Sequence, residues 1–456
     1  MRSENLYNEV QIPKNLLLGT ATASLQIEGG DTNNDWYRWA NTSGNIKDGS
    51  HPERCVDHWE KWREDIQLLS EIGIEVYRMS LEWARIEPEC GKFSTAAIEH
   101  YREEISELRA RGIIPLVSLH HFSNPIWFAD KDGFTNPESV ALFLRYTEYV
   151  VNALKDLVDE WVTINEPNVY VTQGYLFHTA PPNEESWRKV RANLLHLAQA
   201  HCLAYRLIHR LQPEAKVGFA HHIRPFVPLN PESRLQRQLT KFSEFAFQDV
   251  LSDAMLGGSF HPLLGSPRPA GRKEKIEKGK YYDYLGVNYY SRTATSKLDD
   301  GVVPGTPRND LGWEIYPQGL IEITQKLFEK YPGPIWVTEN GTCDTGELSA
   351  APRLADTKLE SFRPRFIYDQ LRCIAASDLP FERYYYWCFV DNFEWSEGMA
   401  ARFGLVYLDP HTKERIVKPS GHFYQEIIAK RLIDSEMYRK YVSGQEYRSE
   451  AEVRLP

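Results

Sequence analysis

Cysteine is scarce and scattered in this sequence. Six occur among 456 residues, Cys55, Cys90, Cys202, Cys343, Cys373 and Cys388. No short paired spacing joins them, so neither a zinc site nor a disulfide framework is indicated. Long apolar runs are missing too, and nothing reaches the about 20 residues that a membrane-spanning helix needs. Met1 to Lys14 is polar and lacks the apolar core of a secretion signal, so cytoplasmic residence is the expectation. Basic charge is not in excess. Lys and Arg number 53 against 63 Asp and Glu, for a net charge of −10, which argues against a nucleic-acid surface. Asn41-Thr42-Ser43 and Asn340-Gly341-Thr342 match glycosylation acceptors but, without a secretion signal, are taken as chance. Aromatics are plentiful, with 12 Trp and 25 Tyr. They suit a large core, and those at strand ends also suit stacking under a sugar.

The chain alternates two kinds of segment. Short apolar, β-branched runs read as strands: Leu16–Thr20, Glu75–Ser80, Ile113–Leu119, Trp161–Ile164, Lys216–Ala220, Tyr284–Asn288, Ile335–Thr338 and Tyr384–Phe389. Between them, amphipathic spacing predicts helices over His58–Ile72, Ala96–Ala110, Pro137–Leu157, Arg188–Leu211, Ser233–Leu256, Pro317–Lys330 and Phe366–Ala376, with Phe423–Lys430 in a closing helix. Gly73 stands where a helix C′ glycine would. Eight strand–helix pairs without a composition break predict an α/β protein, one (β/α)₈ TIM barrel spanning residues 1–456 as a single domain. An open doubly wound sheet is the runner-up. It would usually carry a glycine-rich phosphate loop after the first strand, and Gly29-Gly30 is no such motif. Arg268–Lys280 reads as a solvated basic segment. Ser291–Gly312, rich in Pro, Gly and Asp, reads as a lid or wall over the barrel mouth.

Two strands end alike. Trp161-Val162-Thr163-Ile164 runs into Asn165-Glu166-Pro167, and Ile335-Trp336-Val337-Thr338 into Glu339-Asn340-Gly341. The carboxyl ends of barrel strands house the chemistry, so Glu166 and Glu339 are expected to share one mouth. Two facing carboxylates suit glycoside hydrolysis, one attacking the anomeric carbon and the other protonating the leaving oxygen. The roles need different proton affinities, and repulsion between like charges separates them. Asn165 is placed to bond a sugar 2-hydroxyl. Arg78, at the end of the second strand, needs a carboxylate partner if buried.

These stretches resemble the Asn-Glu-Pro and Thr-Glu-Asn-Gly signatures of glycoside hydrolase family 1, the β-glucosidase family. The resemblance runs from Gln26-Ile27-Glu28-Gly29 to Phe403-Gly404-Leu405-Val406. It implies a retaining β-glycosidase for terminal β-D-glucosyl, and also fucosyl or galactosyl, residues, with Glu339 as nucleophile and Glu166 as acid/base. The two carboxyls should then lie about 5–5.5 Å apart. It further implies that Arg78, Asn288 and Tyr290 support the nucleophile, and that Gln26, His121 and Glu394 bind sugar hydroxyls. Trp387 would be the stacking floor and Trp395 an indole donor. No cofactor and no metal is implied. The one partner is a small-molecule glycoside, and a homo-oligomer stays open. The Glu394 carboxylate is expected to repel a phosphorylated sugar.

The match has departures. After His121 the family commonly has Trp-Asp-Leu-Pro, where this chain has Phe122-Ser123-Asn124-Pro125. The fifth strand commonly ends in an asparagine near the acid/base, where this chain has His222, which bears on pH dependence or the aglycone. Asn34-Asp35-Trp36-Tyr37-Arg38-Trp39 departs from the usual Trp-Asp pattern. The rivals are a non-catalytic sugar-binding protein on the same barrel, which would normally lose one glutamate, and a metal- or phosphate-dependent barrel enzyme. His120 and His121 are adjacent, so their side chains diverge on a strand and make no metal pair.

Overall fold

The computed structural model describes residues 7–273, 275–297, 300–346 and 359–455. Eight parallel strands close into a barrel: β1 Leu17–Ala21, β2 Val76–Ser80, β3 Ile114–Ser118, β4 Glu160–Asn165, β5 Lys216–His222, β6 Leu285–Asn288, β7 Ile335–Asn340 and β8 Phe381–Trp387. Each pairs with its neighbours in chain order, and β8 returns to β1. The helices outside are α1 His58–Ile72, α2 Thr95–Ala110, α3 Ser139–Leu154, α4 Trp187–Leu211, α5 over 234–257, α6 Gln318–Lys330, α7 Arg363–Ala375 and α8 Pro419–Lys430. The (β/α)₈ expectation holds.

Local chemistry sets the boundaries. Ser94 and Ser186 cap α2 and α4, each accepting a backbone N–H with its side chain. Gly73 ends α1 at φ +84°, the left-handed conformation glycine adopts at no steric cost. The interior below the mouth is filled by Val76, Leu116, Val162, Tyr284, Trp336 and Tyr385, with Tyr284 and Trp336 stacked at 3.7 Å. A packed floor leaves one end for chemistry.

Three segments differ from expectation. β8 begins three residues early, at Phe381-Glu382-Arg383, because Arg383 is satisfied by an ion pair with Glu160 at 3.1 Å. The helix expected over Ser233–Leu256 is α5 in parts: Arg234–Glu244 continues through a π-helical turn, Phe245–Asp249, into Val250–Gly257. Within 291–312, of which 298 and 299 lie outside the described residues, Thr293–Thr295 forms a strand parallel to Phe226–Pro228. That pairing ties the segment to the chain after β5 as a wall. The basic segment 268–280, described apart from residue 274, is largely exposed.

Candidate active site

Both glutamate-bearing strands are irregular just before the carboxylate. Register shifts fall between Val162 and Asn165 on β4, and between Val337 and Glu339 on β7. Such bulges re-aim a side chain at a barrel rim. Glu166 follows β4 at φ +39°, a left-handed backbone that costs an L residue on the order of 1–3 kcal/mol. Pro167 then opens the helix Pro167–Tyr175. Gly341, after β7, allows the neighbouring rim to close in, since a Cβ there would sit 1.8 Å from the Trp387 carbonyl oxygen.

Glu166 and Glu339 line one cavity of about 390 Å³ with His121, Trp387, Glu394, Trp395, Tyr290 and His222, within the range of small-ligand sites. The remaining expected residues adjoin it through hydrogen bonds. Arg78 is fully buried and donates to Glu339 Oε1 at 2.6 Å and to Asn165 Oδ1 at 2.6 Å. Tyr290 donates its hydroxyl to Glu339 Oε2 at 2.7 Å. Asn288 departs from its expected role. Its amide donates to Glu166 Oε1 at 2.9 Å and to Asn165 Oδ1 at 3.1 Å, while Thr338 donates to its oxygen at 2.6 Å. It supports Glu166, not Glu339. A continuous chain of hydrogen bonds thus joins the two carboxylates, through Arg78, Asn165 and Asn288.

The sugar-side groups carry unused valences. Gln26 spends its amide N–H groups on Asn392 Oδ1 and the Phe393 carbonyl, leaving a buried Oε1 without a partner. Asn165 Nδ2 can only donate, so it fixes His121 Nε2 as an acceptor at 3.0 Å. The His121 proton then sits on Nδ1, which is buried and unpartnered. Burial, aided by the charge of Arg78, keeps His121 well below the usual imidazole range and hence neutral. One acceptor and one donor without partners match the needs of a polyol. Trp387 donates its indole N–H to Glu394 Oε1 at 3.0 Å, which leaves its ring for stacking. Trp395 lies near-parallel to His121 and packs on Trp36. His120 turns away to Asn124.

The two carboxyls titrate in opposite directions. Burial pushes Glu339 up to about 7; Glu166 adds to the rise, and Arg78 and Tyr290 oppose it. Burial also acts to raise Glu166, but His222, Asn288 and Arg78 outweigh it and hold that carboxyl below its usual range. His222, at the end of β5, faces Glu166 with Nδ1 2.9 Å from Oε1. This order is the reverse of that required of an ionised nucleophile and a protonated acid. Geometry decides between them. Among the described residues Arg78 has one carboxylate partner, Glu339, and a buried guanidinium facing a neutral acid would be uncompensated. The buried guanidinium thus favours the ionised form at Glu339.

Burial pushes Glu394 up to about 8. That shift weakens the expected repulsion of a phosphate. The two arginines lining the cavity, Arg224 and Arg292, are each already paired, with Asp300 and Glu314. Sequence reasoning also missed the outer wall, where Phe177, Phe247, Val302 and Trp313 ring the mouth. Trp313, one residue beyond the loop-like Ser291–Gly312 stretch, was the one available signal.

Comparison with known proteins places the chain. A family profile described as glycosyl hydrolase family 1 matches residues 8–432. β-Glucosidase A from Thermotoga maritima is 30% identical over 440 residues, covering 92% of this chain and 98% of that one. A β-galactosidase from Sulfolobus acidocaldarius is 27% identical, covering 94% and 97%. Among solved structures, a β-glycosidase from Pyrococcus horikoshii superposes with a TM-score of 0.80 at 33% identity, covering 95% of this chain and 98% of that one. The Thermotoga maritima β-glucosidase in complex with glucoimidazole gives 0.83 at 28%, covering 93% and 100%.

Proposed function

The chain belongs to glycosyl hydrolase family 1, and from that premise we propose a retaining β-glycosidase that removes terminal, non-reducing β-D-glucosyl residues by double displacement. Glu339 attacks the anomeric carbon as the bond to the aglycone oxygen breaks. Glu166 gives its proton to that oxygen, and the sugar stays esterified to Glu339. Water then enters. Glu166, now a carboxylate, takes a proton from it, the new C–O bond forms and Glu339 leaves as a carboxylate. Arg78 and Tyr290 stabilise that carboxylate as reactant and as leaving group.

The observation that carries this reading is one cavity lined by two glutamates, only one of which is clamped by a buried arginine and a tyrosine hydroxyl. Gln26, His121, Glu394 and Trp395 would hold the glycone over Trp387. Asn165 would meet the 2-hydroxyl with the amide hydrogen not used on His121. β-Galactosyl and β-fucosyl residues are secondary substrates in this reading, in line with the β-galactosidase among the relatives. The apolar mouth favours an aryl or alkyl aglycone over a second sugar. Cytoplasmic residence and an unphosphorylated glycone remain parts of the proposal.

Incubation with an activated 2-deoxy-2-fluoro-β-glucoside tests it. The 2-fluorine slows the second step more than departure of a good leaving group, so mass spectrometry should find one sugar on the peptide that carries Glu339. A label on Glu166, or full turnover by Glu339→Ala without added azide, would overturn the assignment.

A further inference from the structure

His222 is engaged by nothing in the scheme above, yet it touches the group on which both proton transfers depend. Glu166 Oε1 receives two contacts at 2.9 Å, one from the amide of Asn288 and one from Nδ1 of His222. Glu166 Oε2 has no hydrogen-bond partner among the described residues. An oxygen already engaged twice is a poor seat for a transferable proton, whereas its twin is free. Resting on the double-displacement reading, we propose that His222 is a positioning residue for acid/base catalysis. With Asn288 it occupies Oε1 of Glu166, so that Oε2 carries the proton exchanged with the aglycone oxygen and with water.

The imidazole is itself well fixed. Its ring lies near-parallel to Tyr290, 6.0 Å away, and edge-on to Phe247. Asn168 donates to its backbone carbonyl at 2.8 Å. Arg224, two residues on, is neutralised by Asp300 at 2.8 Å. Tyr290 lies on the Glu339 side and is bonded to that carboxylate. His221 points to the opposite side of β5, to Ser252 at 3.0 Å. Among the described residues, Glu166 is therefore the one unneutralised group in direct contact with the ring. Nε2 has no partner among the described residues, and the residue lines the cavity.

The charge of that ring matters differently in the two steps. Before attack, Glu339 is negative and opposes a second negative charge on Glu166, which favours the acid form. In the glycosyl-enzyme Glu339 is an uncharged ester, and that opposition is gone. A positive His222 then stabilises the Glu166 carboxylate, the form that must accept a proton from water. A neutral ring with its proton on Nδ1 keeps the orienting contact and leaves the acid form accessible.

The fluoro-sugar adduct separates this inference from the reading beneath it. If no adduct forms on Glu339, the reading fails. If it forms, the inference is tested by carbon-13 titration of Glu166 in the adduct, in wild type, His222→Ala and His222→Asn. We expect the carboxyl to titrate about one unit or more higher in both variants, a tenfold change in proton affinity. We also expect kcat/KM of His222→Ala to fall about tenfold further on an alkyl glucoside than on a dinitrophenyl glucoside, whose leaving group needs no proton. His222→Asn, which keeps an N–H donor without a titratable charge, should recover most of that difference. An unmoved titration in both variants, or equal losses on the two substrates, would overturn the proposal.

Discussion

Among the clusters of buried charge in the described residues, two are built on opposite plans. One lies in the helical shell. His58 is held between Asp65 Oδ2 at 2.8 Å and Glu104 Oε1 at 2.9 Å, and Arg415 binds both oxygens of Asp65. None of its polar atoms is buried without a partner. The other is the catalytic cavity, where Gln26 Oε1 and His121 Nδ1 are buried and unpartnered. A closed cluster spends its polarity on the fold. An open one holds polarity in reserve, at a cost of about 1–3 kcal/mol for each unsatisfied group, and a ligand can repay it. The comparison suggests that damage to one cluster should read out in stability and damage to the other in turnover.

The largest effect expected is on turnover. Glu339→Ala should lower kcat by a factor on the order of 10⁴ or more, an effect far larger than the stability lost by leaving Arg78 without its carboxylate. Azide should restore part of the rate on an activated glycoside and give a product of inverted configuration. Collapse of the fold in this variant would erase the contrast. In the shell, Asp65→Ala strands both His58 and Arg415, and breaking a buried pair costs about 3–5 kcal/mol. Urea denaturation should record that loss, with kcat per folded molecule unchanged. Equal damage to kcat would break the division.

Acidity sharpens the contrast. Burial and its neighbours act in opposite directions on His58, and the two carboxylates prevail, lifting it from 6.5 to about 10. The fold therefore gains from its charge at pH values below 6.5 and loses that gain as pH rises through 10. Glu394 is also raised, from 4.5 to about 8, but here burial penalises the charged form. Its contribution is intact below pH 4.5 and is lost as pH rises through 8. Glu394→Gln removes that penalty, so it should raise the melting temperature by roughly 2–4 °C at pH 8 and leave it unchanged at pH 4. It should also lower kcat/KM by removing a glycone contact, a trade of stability against function. A melting temperature that falls at pH 8 would show that Glu394 belongs to the closed kind of cluster.

Both plans were unequally visible in the residues. The barrel and the glutamate pair are written locally, as β-branched runs ending in Asn-Glu-Pro and Thr-Glu-Asn-Gly, and a strand end tells its own location. The partners are not local. Asn288 lies 122 residues from Glu166 and His222 lies 56 from it, and which carboxylate each meets depends on the bulges in β4 and β7. The family resemblance paired Asn288 with Glu339, whereas its amide meets Glu166. Asn165 was identifiable as a site residue, but not that Arg78 and Asn288 both use its oxygen. The start of β8 was hidden by Glu382 and Arg383, which find their partners on other strands, the Trp336 indole for Glu382 and the Glu160 carboxylate for Arg383. The π-helical turn in α5 left no periodic mark at all.

The smallest expected effect probes where the open cluster ends. Phe177 lines the cavity mouth and is 55% exposed, so it does little to support the core. An aryl aglycone lying on it would cover much of that ring. Burying some 40 Å² of apolar surface is worth about 1 kcal/mol, which is roughly fivefold in affinity. Phe177→Ala should therefore raise KM for an aryl glucoside about fivefold and leave kcat nearly alone, because uniform binding of ground and transition states is what is lost. Methyl glucoside, too short to reach the ring, should show a much smaller change, and the pH profile should keep its shape. If methyl and aryl substrates lose equally, Phe177 acts on the glycone through the wall behind it, and the apolar mouth is part of the catalytic cluster instead of a separate surface for the departing group.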